Sequence, residues 1–341
     1  MNNISVTARP TISKRQRLGR DLWRDKWLYV MLIPGIVFFL LFKLKPFTWF
    51  AISIYEYNPF GDGPFSGDFV GVKYFKMLFS SSNFWKLLEN TLLLSLYNII
   101  FYFPLPILFA LLLNEVNNMV YKKFVQTITY IPHFFSWVVI ASISFSLFAV
   151  EDGSVNSLLE FLFGTKVQFL TSSEWLRPIV IIQQTWKDLG WGTIVYLAAM
   201  SSIDPALYEA ASLDGAGRIQ KMLHITLPSI APTIATLLIL RMGSFMDSSF
   251  DQLFLMVNNS NRAVGDVFDT YIYQQGIAGG KFSYTTAVGI FKSVVSLILV
   301  VSCNKIAKKL GISQVQVSRL LRRTLKKIQD KIDPDGVMVR S

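Results

Sequence analysis

Residues 91–113 read TLLLSLYNIIFYFPLPILFALLL, and none of them is charged. A helix needs about 20 apolar residues to cross the hydrocarbon core of a bilayer. This run meets that length, and similar runs lie on both sides of it. Upstream, Leu28–Phe42 continues past Lys43 and Lys45 into Phe47–Tyr55. Downstream come Phe124–Val150 with His133 inside it, and Pro178–Met200 interrupted by Lys187 and Asp188. Ser229–Val257 follows with Arg241, Asp247 and Asp251, and then Tyr284–Cys303 with Lys292. The count is six. The predicted fold class is an all-α, polytopic membrane helix bundle of about six transmembrane helices.

Composition points the same way. Of the 341 residues, 52% are hydrophobic and 16% are charged, whereas soluble domains are about 25% charged. Such a balance excludes intrinsic disorder, which couples low hydrophobicity to high charge. Cys303 is the only cysteine and His133 and His224 the only histidines, so a disulfide scaffold and a thiolate zinc cluster are excluded, and a His-based metal centre would need unusual company from carboxylates. The first run lies behind a basic stretch and has no small-residue cleavage site after it. It reads as a retained span rather than a removed leader.

Orientation follows from where Lys and Arg fall. With the N-terminus inside, the cytoplasmic segments 1–27, 114–123, 201–228 and 304–341 hold 21 of them, and the outer loops 56–90, 151–177 and 258–283 hold 7. The net charge of +11 is thereby explained by flanks facing anionic membrane lipid, and no nucleic acid is required. The implied organisation is a basic cytoplasmic N-terminus (1–27), a transmembrane domain (28–303) and a basic cytoplasmic tail (304–341). Pro34, Pro104, Pro106 and Pro132 fall inside spans, where each removes a backbone donor. The carbonyls they free need neighbours or a polar cavity.

The loop 201–228 carries the most specific signal, YEAASLDGAGRIQKMLHITLP at 208–228. Asp204-Pro205 is a helix start signal, so a short helix is expected over Leu207–Leu213. Gly215 is placed to end it in a left-handed conformation. A second helix is expected from about Gly217 to Thr226, stopping before Pro228. The product is an elbow of two helices between two membrane spans. Ala210, Ala211 and Ala216 permit close approach of another backbone, and Glu209 and Asp214 offer exposed acid.

This pattern resembles the signature loop of type I ATP-driven importers in Glu209, Ala210, Ala211, Asp214, Gly215, Ala216, Ile225, Leu227 and Pro228. Residues 243–256 (GSFMDSSFDQLFLM) and 266–292 resemble the oligosaccharide branch of that family, and the likeness extends over about residues 25–310. The resemblance implies a permease subunit and makes the loop a coupling helix that docks on a separate ATPase. It further implies a heterodimer with a second permease subunit, two ATP-binding subunits, an extracytoplasmic solute-binding protein and a carbohydrate substrate. The chain has no G-x-x-x-x-G-K-[ST] loop. No catalytic residue, metal or cofactor of its own is expected.

Polar residues within spans are candidates for the substrate path. Gln183, Trp186 and Trp191 in the fourth span, and Asp247, Asp251 and Gln252 in the fifth, offer the aromatic faces, amides and carboxylates that hold sugars. Asp247 and Asp251, four apart, are expected on one helical face, whereas Arg241 and Asp247, six apart, need not pair. The competing explanation for any one of these residues is an interfacial aromatic belt or an internal hydrogen bond. His133 is read as packed or hydrogen-bonded, and His224 as structural.

The tail departs from the family. NKIAKKLGISQVQVSRLLRRTLKKI at 304–328 has helix-turn-helix spacing around Gly311, and ISQVQVSRL resembles the promoter-reading region of sporulation-type sigma factors. The preceding element is a span, so the core that supports such a motif is missing. Arg319, Arg322, Arg323, Lys326 and Lys327 are read as an amphipathic basic face for an anionic bilayer surface, in preference to DNA. Three other classes are separable by experiment. A secondary transporter would take up cargo without an ATPase, an intramembrane enzyme would need a nucleophile–base set that is not found, and a tethered transcription regulator would retain DNA.

Overall fold

The computed structural model describes Trp23, residues 25–247 and residues 249–309. Within that range the regular structure is helical. Tyr55 and Phe69 form an isolated antiparallel bridge. The tail motif from Leu310 onward and the N-terminal basic residues before Lys26 lie outside the described residues.

The chain divides into two compact units at Val72. In the first, α1 (Lys26–Phe39) runs on through a π turn (Leu40–Leu44) and a 3₁₀ segment (Lys45–Ile54), a helical stretch of 29 apolar-rich residues. The chain then turns back, and Val70 N–H donates to Ile54 O at 2.9 Å.

In the second unit, α2 (Ser82–Tyr97), a π turn (Asn98–Tyr102) and α3 (Pro104–Asn114) form one span of 33 residues. Next come α4 (Met119–Tyr130), a 3₁₀ turn (Ile131–Phe134) and α5 (Trp137–Phe148). Then α6 (Ser173–Met200) descends to the elbow helix α7 (Pro205–Leu213). A helix from Arg218 leads through a π turn (Met222–Thr226) into α8 (Leu227–Gly243). Two short helices, α9 (Phe250–Met256) and α10 (Phe268–Ile272), precede the last span, α11 (Phe282–Lys309).

Four of these stretches are long and apolar enough to cross a membrane, and α4–α5 is a fifth if the bent pair counts as one. The sixth is α6. Its 28 residues give a length of about 42 Å, although Glu174, Arg177, Lys187 and Asp188 dilute its hydropathy.

Three of the prolines are handled in the same way. Three π turns end two residues before a proline: Leu40–Leu44 before Pro46, Asn98–Tyr102 before Pro104 and Met222–Thr226 before Pro228. The wider turn lets the last free N–H reach back five residues, as Phe103 N–H does to Asn98 O at 2.9 Å, so the helix continues past the ring. Pro228 therefore does not stop the second elbow helix, as its sequence context predicts. It sits at the start of α8, and the helix runs unbroken from Arg218 to Gly243.

Two predicted single spans are broken instead. The third bends by 102° between Phe134 and Trp137, where Phe135 and Ser136 are extended and the Ser136 hydroxyl caps α5 at Val139 N–H. The fifth ends at Gly243 and resumes as α9 at Phe250. The fourth starts at Ser173 rather than Pro178, because Ser172 Oγ accepts from Glu174 N–H at 3.2 Å and Pro178 falls in the second turn.

Three apolar clusters hold the second unit together. One gathers Leu94 of α2, Ala141 of α5, Ile179 and Val180 of α6, and Leu253 of α9. A second joins Phe84 and Leu87 of α2 to Met246, Phe268, Tyr284 and Val288. The third lies beside the elbow and clamps Ile107 and Ala110 of α3 to Tyr196 and Met200 of α6 and Ile230 of α8.

The α6–α4 crossing depends on Gly190, which is buried. A Cβ there would overlap the backbone carbonyl of Thr129. Gly190→Val is expected to destabilise the solubilised protein by about 2–3 kcal/mol, because backbone cannot move aside as a side chain can. A thermal unfolding curve in detergent that coincides with wild type would contradict this.

Candidate functional site

The elbow is built from local chemistry. Asp204 Oδ1 accepts from Ala206 N–H at 3.0 Å and Pro205 occupies the first turn, a pre-organised start. At the other end Gly215 has φ +80°. Its N–H donates to Ser212 O at 3.1 Å and the Ala216 N–H to Ala211 O at 2.9 Å. This pair of bonds is a Schellman closure. Gln220 Oε1 then accepts from Gly217 N–H at 2.8 Å and starts the next helix.

The two arms are joined by side chains. The Tyr208 and Thr226 hydroxyls lie 2.8 Å apart, and Lys221 Nζ donates to Ser212 Oγ at 2.6 Å. His224 Nδ1 lies 3.0 Å from Gln220 O on its own helix. Outward, Glu209, Ala210, Asp214, Gly215 and Pro228 are exposed, while Ala211, Ala216, Ile225 and Leu227 are half-buried. Leu213 is 90% exposed. The elbow therefore presents a rigid knob with acid at Glu209 and Asp214 and an uncovered leucine beside them.

Both rods that leave the elbow lead to one polar region. On α6, Asp188 Oδ1 lies 2.7 Å from His133 Nδ1, and the Asp188 carboxylate also accepts from Gln184. Gln184 Oε1 accepts from Ser249 Oγ at 3.3 Å. Lys187 Nζ donates to His133 O at 2.7 Å and to Phe135 O. It thus satisfies the carbonyls left open where the third span breaks. Trp191 stacks on His133 with ring centres 4.4 Å apart and planes 3° apart.

On α8, Arg241 Nη2 donates to Asn98 Oδ1 at 2.8 Å, and Arg241 lies 6.0 Å from the centre of the Tyr102 ring. Arg241, Asn98, Ser95, Asp247, Ser249 and Gln252 surround a cavity of about 60 Å³ at the break in the fifth span. Asp247 is 60% exposed and lies 2.7 Å from Lys292 Nζ of α11. Lys292 also pairs with Asp269.

The sequence-predicted path residues separate into groups. Gln183 and Gln252 are 5% and 2% exposed and are joined to each other, Gln252 Nε2 to Gln183 Oε1 at 2.9 Å. Gln183 Nε2 also donates to Ser144 Oγ at 2.6 Å, and Gln252 Nε2 to Val180 O at 2.8 Å. The pair bridges α5, α6 and α9, although Gln252 still borders the cavity. Trp186 is exposed, 6.1 Å from the Phe135 ring. Asp251 is exposed in the first turn of α9. The expected common face of Asp247 and Asp251 does not form, because Asp247 precedes that helix. Asn98, Lys187, Asp188 and Lys292 are the residues sequence reasoning left out of the path. Their only signal is polarity within an apolar run.

At the far end of α6, Arg177 Nη2 donates to Asn90 Oδ1 at 2.8 Å, and Asn90 Nδ2 donates to Asp266 O at 2.9 Å. These bonds pin the 257–267 loop. Burial there raises the Asp266 carboxyl above its ordinary value, against the Thr270 hydrogen bond and the Arg262 charge, which lower it.

Known proteins resemble this chain over most of its length. Residues 102–311 match the family model described as binding-protein-dependent transport system inner membrane component. The chain is 49% identical over 298 residues to the polygalacturonan/rhamnogalacturonan transport system permease protein YteP of Bacillus subtilis (strain 168), covering 87% of this chain and 92% of that protein. It is 50% identical over 288 residues to protein LplB of the same organism, covering 84% and 90%. Among solved structures it resembles a chain of a bacterial ABC transporter involved in the import of the acidic polysaccharide alginate. That match has a TM-score of 0.80 and 41% identity, over 86% of this chain and 99% of the other.

Proposed function

The chain belongs to the family of binding-protein-dependent transport system inner membrane components, and on that premise we propose that it forms half of the translocation pore of an ATP-driven oligosaccharide importer. It is a multi-pass membrane subunit and not an enzyme. The substrate class follows from its likeness to a polygalacturonan/rhamnogalacturonan permease and to an alginate importer. A second permease completes the pore, and an extracytoplasmic solute-binding protein delivers cargo, as the alginate transporter's complex with its oligosaccharide-bound periplasmic protein suggests. Two ATP-binding subunits supply the energy.

The observation that carries the reading is the path from elbow to cavity. From the knob at Glu209, α6 and α8 rise to the polar region that contains Asp188, Arg241 and the break at 244–249. The α3–α6–α8 core clamps them together beside the elbow. Movement of the knob is passed through the short turns at 201–204 and 214–217 into two helices that reach the cavity. A motor that binds the knob differently in its open and closed forms shifts the pore between two states. In this topology both termini and the elbow are cytoplasmic, and loops 56–88 and 258–283 face the receptor.

The test is uptake by proteoliposomes that contain this chain, its partner permease, the ATPase and the solute-binding protein. Accumulation of a galacturonate oligosaccharide that requires ATP inside the vesicle is expected. Uptake by the two permeases without the ATPase would overturn the proposal. A protease site inserted at 213–214 that is cut from the outside of whole cells would overturn the orientation.

A further inference from the structure

We propose that the cavity at the break in the fifth span is a carboxylate subsite, in which Arg241 selects for an acidic oligosaccharide. The proposal rests on the importer reading and names the substrate chemistry that this half of the pore accepts.

The charges around the cavity are unevenly matched. Lys292 is occupied by Asp247 and Asp269, and Lys187 caps the carbonyls of the broken third span. Asp188 faces His133 and Gln184. Arg241 differs. Among the described residues its side-chain partners are the neutral Asn98 amide and the face of Tyr102, and no carboxylate lies within salt-bridge distance. It stands half-buried on α8 at the depth where the helix breaks.

A guanidinium without a counter-charge inside a span is costly, and such residues mark the paths of ions and substrates. One Nη is held by Asn98. A guanidinium has five N–H donors in a planar fork, which leaves the rest to meet a carboxylate in the bidentate geometry that Arg favours. The cavity of about 60 Å³ holds a carboxylate or a few waters. Ser95 and Ser249 on its wall already donate to Phe245 O and Gln184 Oε1, so each offers a sugar hydroxyl its oxygen as an acceptor. Asp247, the acid on the same wall, is held by Lys292 and so opposes an incoming carboxylate less than a free acid would. Asn98 is a positioning residue, since its carbonyl oxygen orients the guanidinium without cancelling its charge.

The experiment compares import of trigalacturonate with import of its carboxyl-reduced form, a neutral galactose trimer, by the complete reconstituted complex. Wild type is expected to favour the acid. Arg241→Met lowers the acid-to-neutral ratio by about tenfold or more, the scale of a hydrogen bond to a charged group, and Arg241→Lys retains most of the preference. Asn98→Asp provides a near-isosteric check that preserves the contact but places a negative charge on the guanidinium, and it is expected to lower the ratio as well. An unchanged ratio in Asn98→Asp, or in an assembled Arg241→Met complex, overturns the proposal. Import of the neutral trimer alone by wild type also overturns it while leaving the oligosaccharide reading intact. Import of neither trimer counts against that reading itself.

Discussion

Gly215→Val is expected to leave ATP hydrolysis by the assembled importer running while uptake falls about tenfold or more. Gly215 adopts φ +80°, a conformation that costs an L-residue about 1–2 kcal/mol, and more with a branched Cβ. A Cβ would meet nothing within 4 Å, so the penalty is conformational and not a clash. The chain relieves it by rotating out of the left-handed region. Both closing bonds, Gly215 N–H to Ser212 O and Ala216 N–H to Ala211 O, then open, and α7 is no longer held at a fixed angle to the next helix. Glu209→Arg tests the same docking by another route. Glu209 is exposed, so its reversal leaves the elbow folded and changes only what the knob presents. Wild-type uptake by both variants in the proteoliposome assay would contradict a coupling role for the elbow.

The second large effect is expected at Lys187. Its ammonium donates to the carbonyls of His133 and Phe135 and lies 5.5 Å from the centre of the Trp137 ring. Lys187→Met keeps the length and apolar stem but leaves two carbonyls without a donor at the break of the third span. At roughly 1–3 kcal/mol for each of the two unsatisfied groups, the loss is about 2–6 kcal/mol. The measurement is unfolding in mixed micelles, followed by near-ultraviolet circular dichroism from Trp137 and Trp191. Unfolding at the wild-type midpoint would show that another donor or water replaces the ammonium. Lys187→Arg, which retains donors, is expected to recover much of the loss.

The sequence made some of these features visible and concealed others for physical reasons. The apolar spans are legible because a bilayer imposes one length and one polarity on every helix that crosses it, although among the described residues only four, or five with the bent pair, meet that standard in the fold. The elbow is legible because its determinants are local: the Asp204 carboxylate and the Pro205 ring begin it, and the Gly215 backbone ends it. The breaks at 134–137 and 243–250 were not legible. The runs 124–150 and 229–257 stay apolar across them, and Ser136, which caps α5, reads equally well as a helix-interior residue. Lys187 and Asp188 read as interruptions of an apolar run, because the carbonyls and imidazole that they satisfy are more than 50 residues away in the chain. Gln183 and Gln252 read as candidates for the path, and only the fold shows that their amides are joined to each other.

The closure at Gly215 is made from backbone amides of the elbow itself, with Tyr208, Thr226, Ser212 and Lys221 bracing it. No atom of a docking partner is needed to shape it. If a motor docks there as proposed, it meets a finished plug and little ordering entropy is lost on engagement. Amide exchange at Ala216 is then expected to be as slow in the bare permease as in the assembled machine.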